Sequence, residues 1–151
     1  MKYPRITNRE DGSVKTKEYE IYTEHYRKDE TLKKTVWKDG DVYYYRKDGS
    51  IKKKVWETGD VDYYRKDLTL KKIVWETGTV FYYRKDETLK KIVFTSGDVW
   101  HYRKDDTLKK IVYTYGRVEH YRKDGTRKKI KKNGTKDTAL TYRVYDKREL
   151  H

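Results

Sequence analysis

A nineteen-residue period runs through most of this chain. The tetrapeptide Tyr-Arg-Lys-Asp recurs without insertion, starting at Tyr26, Tyr45, Tyr64, Tyr83, Tyr102 and Tyr121. Around it recurs a wider pattern, roughly Gly-Asp-Val-x-Tyr-Tyr-Arg-Lys-Asp-x-Thr-Leu-Lys-Lys-Ile-Val-Trp-Glu-Thr. A fixed short period indicates that one small supersecondary unit is built repeatedly and that each copy packs on its neighbours. The chain is therefore predicted to be a repeat protein, not an enzyme-like globule.

Composition favours a thin, ordered structure. Of the 151 residues, 34% are hydrophobic and 42% are charged, which leaves too little apolar surface for a thick core. Yet 15% are aromatic, including 17 tyrosines and four tryptophans, and disordered chains are poor in such residues. A thin sheet lined by aromatic side chains satisfies both observations.

Two turn signals alternate along the chain. One is a pair of residues ending in Gly, such as Thr58-Gly59, which suits a two-residue hairpin turn. The other is a triplet that begins with the Asp of the tetrapeptide, such as Asp67-Leu68-Thr69. Segments rich in Val, Ile, Tyr and Trp separate these turns. The sequence thus predicts an all-β fold: an antiparallel up-and-down meander of about 13 strands from six hairpin repeats, forming an extended, twisted single layer or a partly curled sheet.

We expect a single domain with three parts. Residues 1–19 form an N-terminal cap, residues 20–134 form the six hairpin repeats, and residues 135–151 form a C-terminal cap strand. The outer strands are expected within 13–28 and 135–147.

Counting outward from the turns predicts which residues face each other. Trp56 is expected opposite Val61, and Val61 opposite Trp75, so that one face carries a Val/Trp row beside a Tyr/Ile row. Such an apolar band is large enough to need a cover, which is a curled sheet, a second copy paired through the Val/Trp face, or a partner. The expected aromatic partner surface consists of Trp37, Trp56, Trp75, Tyr44, Tyr63 and Tyr82.

The same register predicts a row of ten basic residues: Arg46, Lys52, Arg65, Lys71, Arg84, Lys90, Arg103, Lys109, Arg122 and Lys128. Like charges directly opposite each other destabilise a sheet. The row is therefore expected either to be balanced by salt and by the turn aspartates, while it protects the sheet from aggregation, or to bind phosphates or carboxylates. On the opposite face, the tyrosines of the tetrapeptide are expected to alternate with lysines such as Lys53 and Lys72 in cation–π contacts.

Charge indicates the class of partner. A formal net charge of +14 favours an anionic macromolecule, namely nucleic acid, an acidic protein or an acidic lipid surface. The leading hypothesis is a non-enzymatic scaffold that binds such a polyanion through the basic row and its neighbouring aromatics. One alternative is an architectural component of a larger protein assembly, and another is a module that binds cell-wall glycan or choline.

The sequence gives little support for catalysis or metal binding. The chain has no cysteine and no pattern for nucleophilic catalysis or phosphate cradling, so we expect neither an enzyme nor a cofactor. His101 and His120 share a repeat slot, but an intervening strand would hold them about 10 Å apart, too far for one metal. The sequence shows no apolar leader and no run of about 20 apolar residues. An intracellular location is the default expectation, and the compartment is otherwise unknown.

The repeat unit resembles the repeats of two known families. The stretches 39–45 and 44–56, Asp-Gly-Asp-Val-Tyr-Tyr-Tyr and Tyr-Tyr-Arg-Lys-Asp-Gly-Ser-Ile-Lys-Lys-Lys-Val-Trp, resemble a variant MORN repeat over about residues 20–134. That resemblance implies a β-hairpin scaffold for protein or acidic-lipid contacts, without catalytic residues. The stretch 37–45, with Asp48-Gly49-Ser50, is similar to choline- or glucan-binding cell-wall repeats, although Val36, Val55 and Val74 stand where those families place Gly before the Trp.

Overall fold

The computed structural model describes residues 2–128, which form one open antiparallel sheet. Each strand pairs with the strands before and after it in sequence, so the predicted all-β meander is confirmed. The described strands are β1 (Arg5–Asn8), β2 (Val14–Glu18), β3 (Tyr22–Tyr26), β4 (Leu32–Trp37), β5 (Val42–Tyr45), β6 (Ile51–Val55), β7 (Val61–Tyr64), β8 (Leu70–Val74), β9 (Val80–Tyr83), β10 (Leu89–Val93), β11 (Val99–Tyr102), β12 (Leu108–Val112) and β13 (Val118–His120).

The expected outer strand at 13–28 is wrong, because that stretch contains two strands, β2 and β3, and β1 lies outside them at the edge of the sheet. The strand expected at 135–147 lies outside the described residues. No helix in the described part of the chain has the length and apolar character needed to cross a membrane.

The strand register differs by one residue from the prediction. Val61 pairs with Val55 and Val74, so the expected pairs of Val61 with Trp56 and Trp75 are wrong. The turn explains the shift: the Trp56 amide donates to the Asp60 carbonyl at 3.0 Å, which encloses a three-residue loop instead of two residues. In such hairpins a β-turn is followed by a left-handed residue, here a glycine in each copy, which forms a bulge.

The turn within the tetrapeptide belongs to the same three-residue class and begins one residue earlier than expected. The Arg65 amide donates to the Thr69 carbonyl at 2.9 Å, and the Leu68 amide donates to the Arg65 carbonyl at 3.1 Å. The last loop residue has a left-handed backbone whether it is a glycine, as at Gly49 (φ 82), or not, as at Leu68 (φ 67). Both turns of the repeat therefore share one geometry.

A register shift beside each of these turns completes the correction. Tyr63 pairs with Lys72 while Tyr64 pairs with Leu70, so Lys71 has no cross-strand partner. An unpaired residue of this kind is a β-bulge. From Tyr26 to Tyr102 the tetrapeptide tyrosines therefore pair with Leu or Ile, whereas Tyr121 pairs with Arg127. The predicted row in which Tyr64 alternates with Lys72 is wrong.

The register places one set of side chains on what we call the aromatic face. Its middle row crosses all ten strands from β4 to β13 and consists of Thr35, Tyr43, Lys54, Asp62, Ile73, Phe81, Ile92, Trp100, Ile111 and Glu119. The tryptophan slot flanks this row, because the Trp75 and Phe81 rings lie 4.4 Å apart between centroids. Val and Trp thus lie on opposite faces, and the predicted Val/Trp row does not form.

The middle row is the core of the sheet. Ile111, Ile92 and Phe81 are 1%, 6% and 8% exposed, although residues 2–128 form a single sheet with no second layer. Long side chains from the flanking rows cover the row: the Tyr121 hydroxyl, for example, donates to Glu119 at 2.7 Å. One face of a single sheet thus buries its own apolar side chains.

Candidate interaction surfaces

The arginine of the tetrapeptide joins neighbouring repeats. The Nη1 of Arg65 donates to the Leu70 carbonyl at 2.5 Å, and its Nη2 donates to the Tyr83 carbonyl at 2.6 Å. The second acceptor belongs to the next copy of the repeat, 18 residues further on. A planar guanidinium suits two such acceptors because its donors project in a fixed fork. We call this pair of contacts an arginine bridge.

Arginine bridges recur along the described sheet. They are formed by Arg9, Arg27, Arg46, Arg65, Arg84 and Arg103. Arg9 lies in the expected N-terminal cap, outside the six predicted repeats. The signal was present, since Arg9-Glu10-Asp11-Gly12-Ser13 matches residues 46–50 at four of five positions.

The aspartate and lysine of the tetrapeptide complete the turn. The Oδ1 of Asp86 accepts the Thr88 hydroxyl at 2.7 Å and the Thr88 amide at 3.2 Å. Its other oxygen lies 3.3 Å from Lys104 of the next copy. The Thr88 hydroxyl bond, followed by the Thr88 amide and Lys104, lowers the pKa of Asp86 to about 2. Similar contacts lower the pKa of Asp105 to about 2. All four tetrapeptide residues thus have structural contacts.

The ten residues of the predicted polyanion site do not form one row of opposed charges. Arg65 pairs with Thr69, and Lys71 occupies the bulge, so the expected pairing of these two is wrong. Arg46, Arg65, Arg84 and Arg103 are half-buried in arginine bridges, whereas Lys52, Lys71, Lys90 and Lys109 are exposed at bulges. Arg122 and Lys128 are also exposed, and Arg122 bonds the Thr126 hydroxyl within its own turn. Polyanion binding by this set stays a prediction.

The predicted aromatic partner surface is divided between the two faces. Trp37, Trp56 and Trp75 flank the middle row on the aromatic face. Tyr44, Tyr63 and Tyr82 lie on the opposite face, because each pairs with a lysine outside the middle row. The expected six-residue surface therefore does not form as one patch.

A continuous run of rings occupies the N-terminal half of the aromatic face. Ring centroids are 4.5 Å apart for Tyr19 and Tyr22, 4.9 Å for Tyr22 and Trp37, 5.9 Å for Trp37 and Tyr43, and 6.1 Å for Tyr43 and Trp56. We call these five residues, all half-buried, the aromatic track. The predicted register places Tyr43 on the face opposite the tryptophans, and it assigns no row to Tyr19 or Tyr22.

Lys54 marks the end of the aromatic track. Its ammonium lies 4.9 Å from the Tyr43 ring centroid and 5.4 Å from that of Trp56. Lys54 stands in the slot that holds isoleucine at 73, 92 and 111, and it pairs across the strands with Asp62. These two charged residues interrupt the apolar middle row. The aromatic track is thereby separated from the isoleucine-rich core of the later repeats.

The other face carries lysines that lie on tyrosine rings. The ammonium-to-centroid distances are 4.6 Å for Lys53 and Tyr44, 4.5 Å for Lys72 and Tyr63, and 4.6 Å for Lys91 and Tyr82. The pairing extends this row in both directions, and a row of valines runs beside it. We call the row the lysine ladder, and its members are Lys34, Tyr44, Lys53, Tyr63, Lys72, Tyr82, Lys91, His101, Lys110 and His120.

His101 reports the charge of the lysine ladder. Burial lowers its pKa, and Lys110, Lys91, Lys109 and Lys90 lower it further. The nearby potential is therefore positive. Within residues 2–128, no group of three or more His, Cys, Asp or Glu side chains is arranged to hold a metal ion.

Comparison with known proteins identifies a fold class. No family model and no curated protein matches the chain. Among solved structures, the SAS-4 (dCPAP) TCP domain of Drosophila melanogaster, in complex with a Proline Rich Motif of Ana2 (dSTIL), is similar with a TM-score of 0.68. The identity is 21%, over 82% of this chain and 81% of that one. The chain thus shares the fold of a TCP domain.

A second solved structure is the wild-type TCP10 domain of Danio rerio CPAP in complex with a peptide of Danio rerio STIL. It is 18% identical over 82% of this chain and 86% of that one, with a TM-score of 0.33. The resemblance to MORN repeats stays a prediction.

Proposed function

We propose that this protein is a non-enzymatic interaction scaffold that binds an extended, proline-rich segment of a partner protein on the aromatic track. The observation that carries the proposal is the uninterrupted run of five half-buried rings from Tyr19 to Trp56 on an open sheet. The similar Drosophila domain, which binds a proline-rich motif, supports the same class of partner.

Polyproline II segments suit an aromatic surface. Such a segment is already extended before it binds, so little conformational entropy is lost, and its proline rings pack against flat aromatic side chains. On the aromatic track, successive rings lie 4.5 to 6.1 Å apart between centroids. A rigid, amphipathic surface of this kind contributes contact area at low entropic cost.

A protein partner also agrees better with the arginines than nucleic acid does. Arg46, Arg65, Arg84 and Arg103 already donate to main-chain carbonyls of their own sheet. A phosphate would have to compete with those bonds. The architectural role within a larger protein assembly is therefore the better supported of the sequence-based hypotheses, and the glycan or choline module stays an untested alternative.

The test is a titration with a synthetic peptide that has proline at two of every three positions and no net charge. We expect chemical-shift changes at Trp37 and Trp56. The variant Trp56→Leu should lose affinity about tenfold, which corresponds to about 1.4 kcal/mol and to the loss of one or two aromatic contacts. The matched control is Trp75→Leu, which alters the same repeat slot outside the aromatic track and should bind normally.

Two results would contradict this proposal. One is an equal loss of affinity in Trp56→Leu and Trp75→Leu, which would indicate a general effect on the sheet. The other is the absence of binding at millimolar peptide while the spectrum remains that of the folded protein. Tyr43→Leu provides a second variant within the aromatic track if Trp56→Leu is poorly folded.

A further inference from the structure

We propose that the lysine ladder is a second docking surface, on the face opposite the aromatic track, for an acidic extended segment of a partner protein. The segment runs across the strands and places one carboxylate near each ladder lysine. This inference goes beyond the proposed function, because it concerns different residues, a different face and a different partner chemistry.

The ladder lysines differ from the tetrapeptide lysines, four of which form ion pairs with aspartates. Lys47, Lys85, Lys104 and Lys123 each lie within 3.4 Å of an aspartate of the preceding copy. Among residues 2–128, no ion pair involves Lys53, Lys72 or Lys91. Their ammonium groups lie over tyrosine rings instead.

The composition of the whole face also favours an acidic partner. From β4 to β13, the paired strand residues on this side are valine, tyrosine, lysine and histidine, with no aspartate or glutamate. The positive potential that helps to lower the pKa of His101 agrees with this composition. A surface with aligned cations and adjoining apolar side chains is complementary to a segment that alternates acidic and apolar residues.

Spacing identifies the form of the segment. Ladder lysines come from every second strand, so successive ammonium groups lie about 9.5 Å apart at the usual strand spacing. A polyproline II helix has three residues per turn and rises about 9.3 Å per turn, so every third side chain lies on one side. An acidic residue at every third position would therefore match the lysines along the row.

Nucleic acid fits this surface less well. Proteins that bind single strands stack bases on free aromatic faces, and here the rings of Tyr44, Tyr63 and Tyr82 are covered by lysine ammonium groups. The observations therefore favour an acidic protein segment over an oligonucleotide.

The test uses the full chain and the peptide (Glu-Pro-Pro)5, with binding followed by fluorescence anisotropy at low salt. The variant Lys53→Gln/Lys72→Gln/Lys91→Gln should lose affinity by at least ~10-fold, since three charge pairs are removed and each contributes a few-fold. The matched control, Lys52→Gln/Lys71→Gln/Lys90→Gln, removes the same charge from the neighbouring exposed bulge positions and should lose less than about threefold.

The NMR titration of His101 provides a readout that a purely structural role would not change. His101 faces Lys91 on β10 and Lys110 on β12, and Lys90 and Lys109 also act on it. Bound carboxylates would offset these charges. The pKa of His101 should therefore rise when the peptide is added, and it should not rise in the Lys53/Lys72/Lys91 variant.

Four results would overturn the inference. They are an equal loss in the two triple variants, equal binding of a peptide with the same composition but clustered glutamates, tighter binding of a single-stranded oligonucleotide of equal charge, and no binding of (Glu-Pro-Pro)5 at low salt. Because (Glu-Pro-Pro)5 also carries prolines that the aromatic track would bind, both triple variants are measured in the Trp56→Leu background as well, where the loss caused by Lys53→Gln/Lys72→Gln/Lys91→Gln should persist. That background distinguishes failure of this inference from failure of the proposed proline-rich site, which an uncharged peptide tests separately.

Discussion

Replacement of Arg65 tests whether the tetrapeptide arginine is a structural bridge or part of a repulsive basic row. In Arg65→Lys the charge is kept, but the fork that reaches both the Leu70 and the Tyr83 carbonyls is lost. The two accounts predict different outcomes for this variant. A row of opposed charges would be unaffected by the change, whereas an arginine bridge would be broken.

The expected magnitude follows from the two short bonds, at 2.5 and 2.6 Å. Hydrogen bonds that involve a charged group contribute about 1.5 to 3 kcal/mol each. Arg65 is only half-buried, so water replaces part of what is lost, and we expect Arg65→Lys to lower the free energy of unfolding by about 2 kcal/mol in total. Arg65→Gln should be destabilised to a similar or greater extent.

The assay is urea unfolding followed by far-UV circular dichroism, at low salt and at about 1 M salt, where the screening length is only ~3 Å. The control is Lys71→Gln, an exposed bulge residue, which should change the unfolding free energy by less than about 0.5 kcal/mol. The reasoning is refuted if Arg65→Lys is as stable as the parent. It is also refuted if Arg65→Gln is more stable at low salt and this gain vanishes at high salt.

Three further predictions concern the turns. Gly97→Ala should lower the thermal stability more than Gly116→Ala does. Both glycines have a positive φ, but of the two only the new Cβ at 97 meets a side chain, at 2.6 Å. Equal losses of thermal stability would contradict the packing argument. Leu68→Gly should stabilise the protein by up to about 1 kcal/mol in urea unfolding. A left-handed backbone costs a non-glycine residue roughly 1–2 kcal/mol, and the larger entropy that glycine loses on folding offsets part of that gain. A loss of stability would show that Leu68 contributes contacts. The free energy of unfolding should fall between about pH 4 and pH 2, because folding lowers the pKa of Asp86 and Asp105 to about 2. The stabilisation is therefore present above the ordinary pKa of 3.8 and disappears as the pH falls through the folded value. An NMR titration in which both carboxyl groups show ordinary pKa values would contradict this prediction.

The period alone predicts the strand order, since identical short units separated by turns allow little besides a meander. The register was harder to predict, because a Gly-containing turn is compatible with loops of two or three residues. Leu68 made the shared turn geometry hard to recognise from the sequence. It has a left-handed backbone at the position that Gly49 occupies in another copy, so the two turns of the repeat looked different. A one-residue error then moves every side chain to the other face.

The candidate surfaces show the same dependence on register. The tryptophans were recognisable as partner-binding candidates from their type, but the tyrosines that join them on the aromatic track follow only from the correct pairing. The role of Arg65 could not be predicted from the sequence, for a different reason. Its acceptor is a main-chain carbonyl of Tyr83, 18 residues away, and main-chain acceptors leave no signature in a sequence. The lysine ladder was predicted as an alternation of Tyr and Lys, but with Tyr64 where the sheet has Tyr63.

The most direct test of this account is disulfide cross-linking across β7 and β8, because the register decides which side chains share a face and therefore both proposed surfaces. The chain has no native cysteine, so an intramolecular disulfide can form only between the two introduced cysteines. We predict that Val61→Cys/Val74→Cys, a directly opposed pair, forms an intramolecular disulfide on mild oxidation, while Val61→Cys/Trp75→Cys does not. Preferential cross-linking of the second pair would contradict the register and with it the assignment of the aromatic track and the lysine ladder to opposite faces.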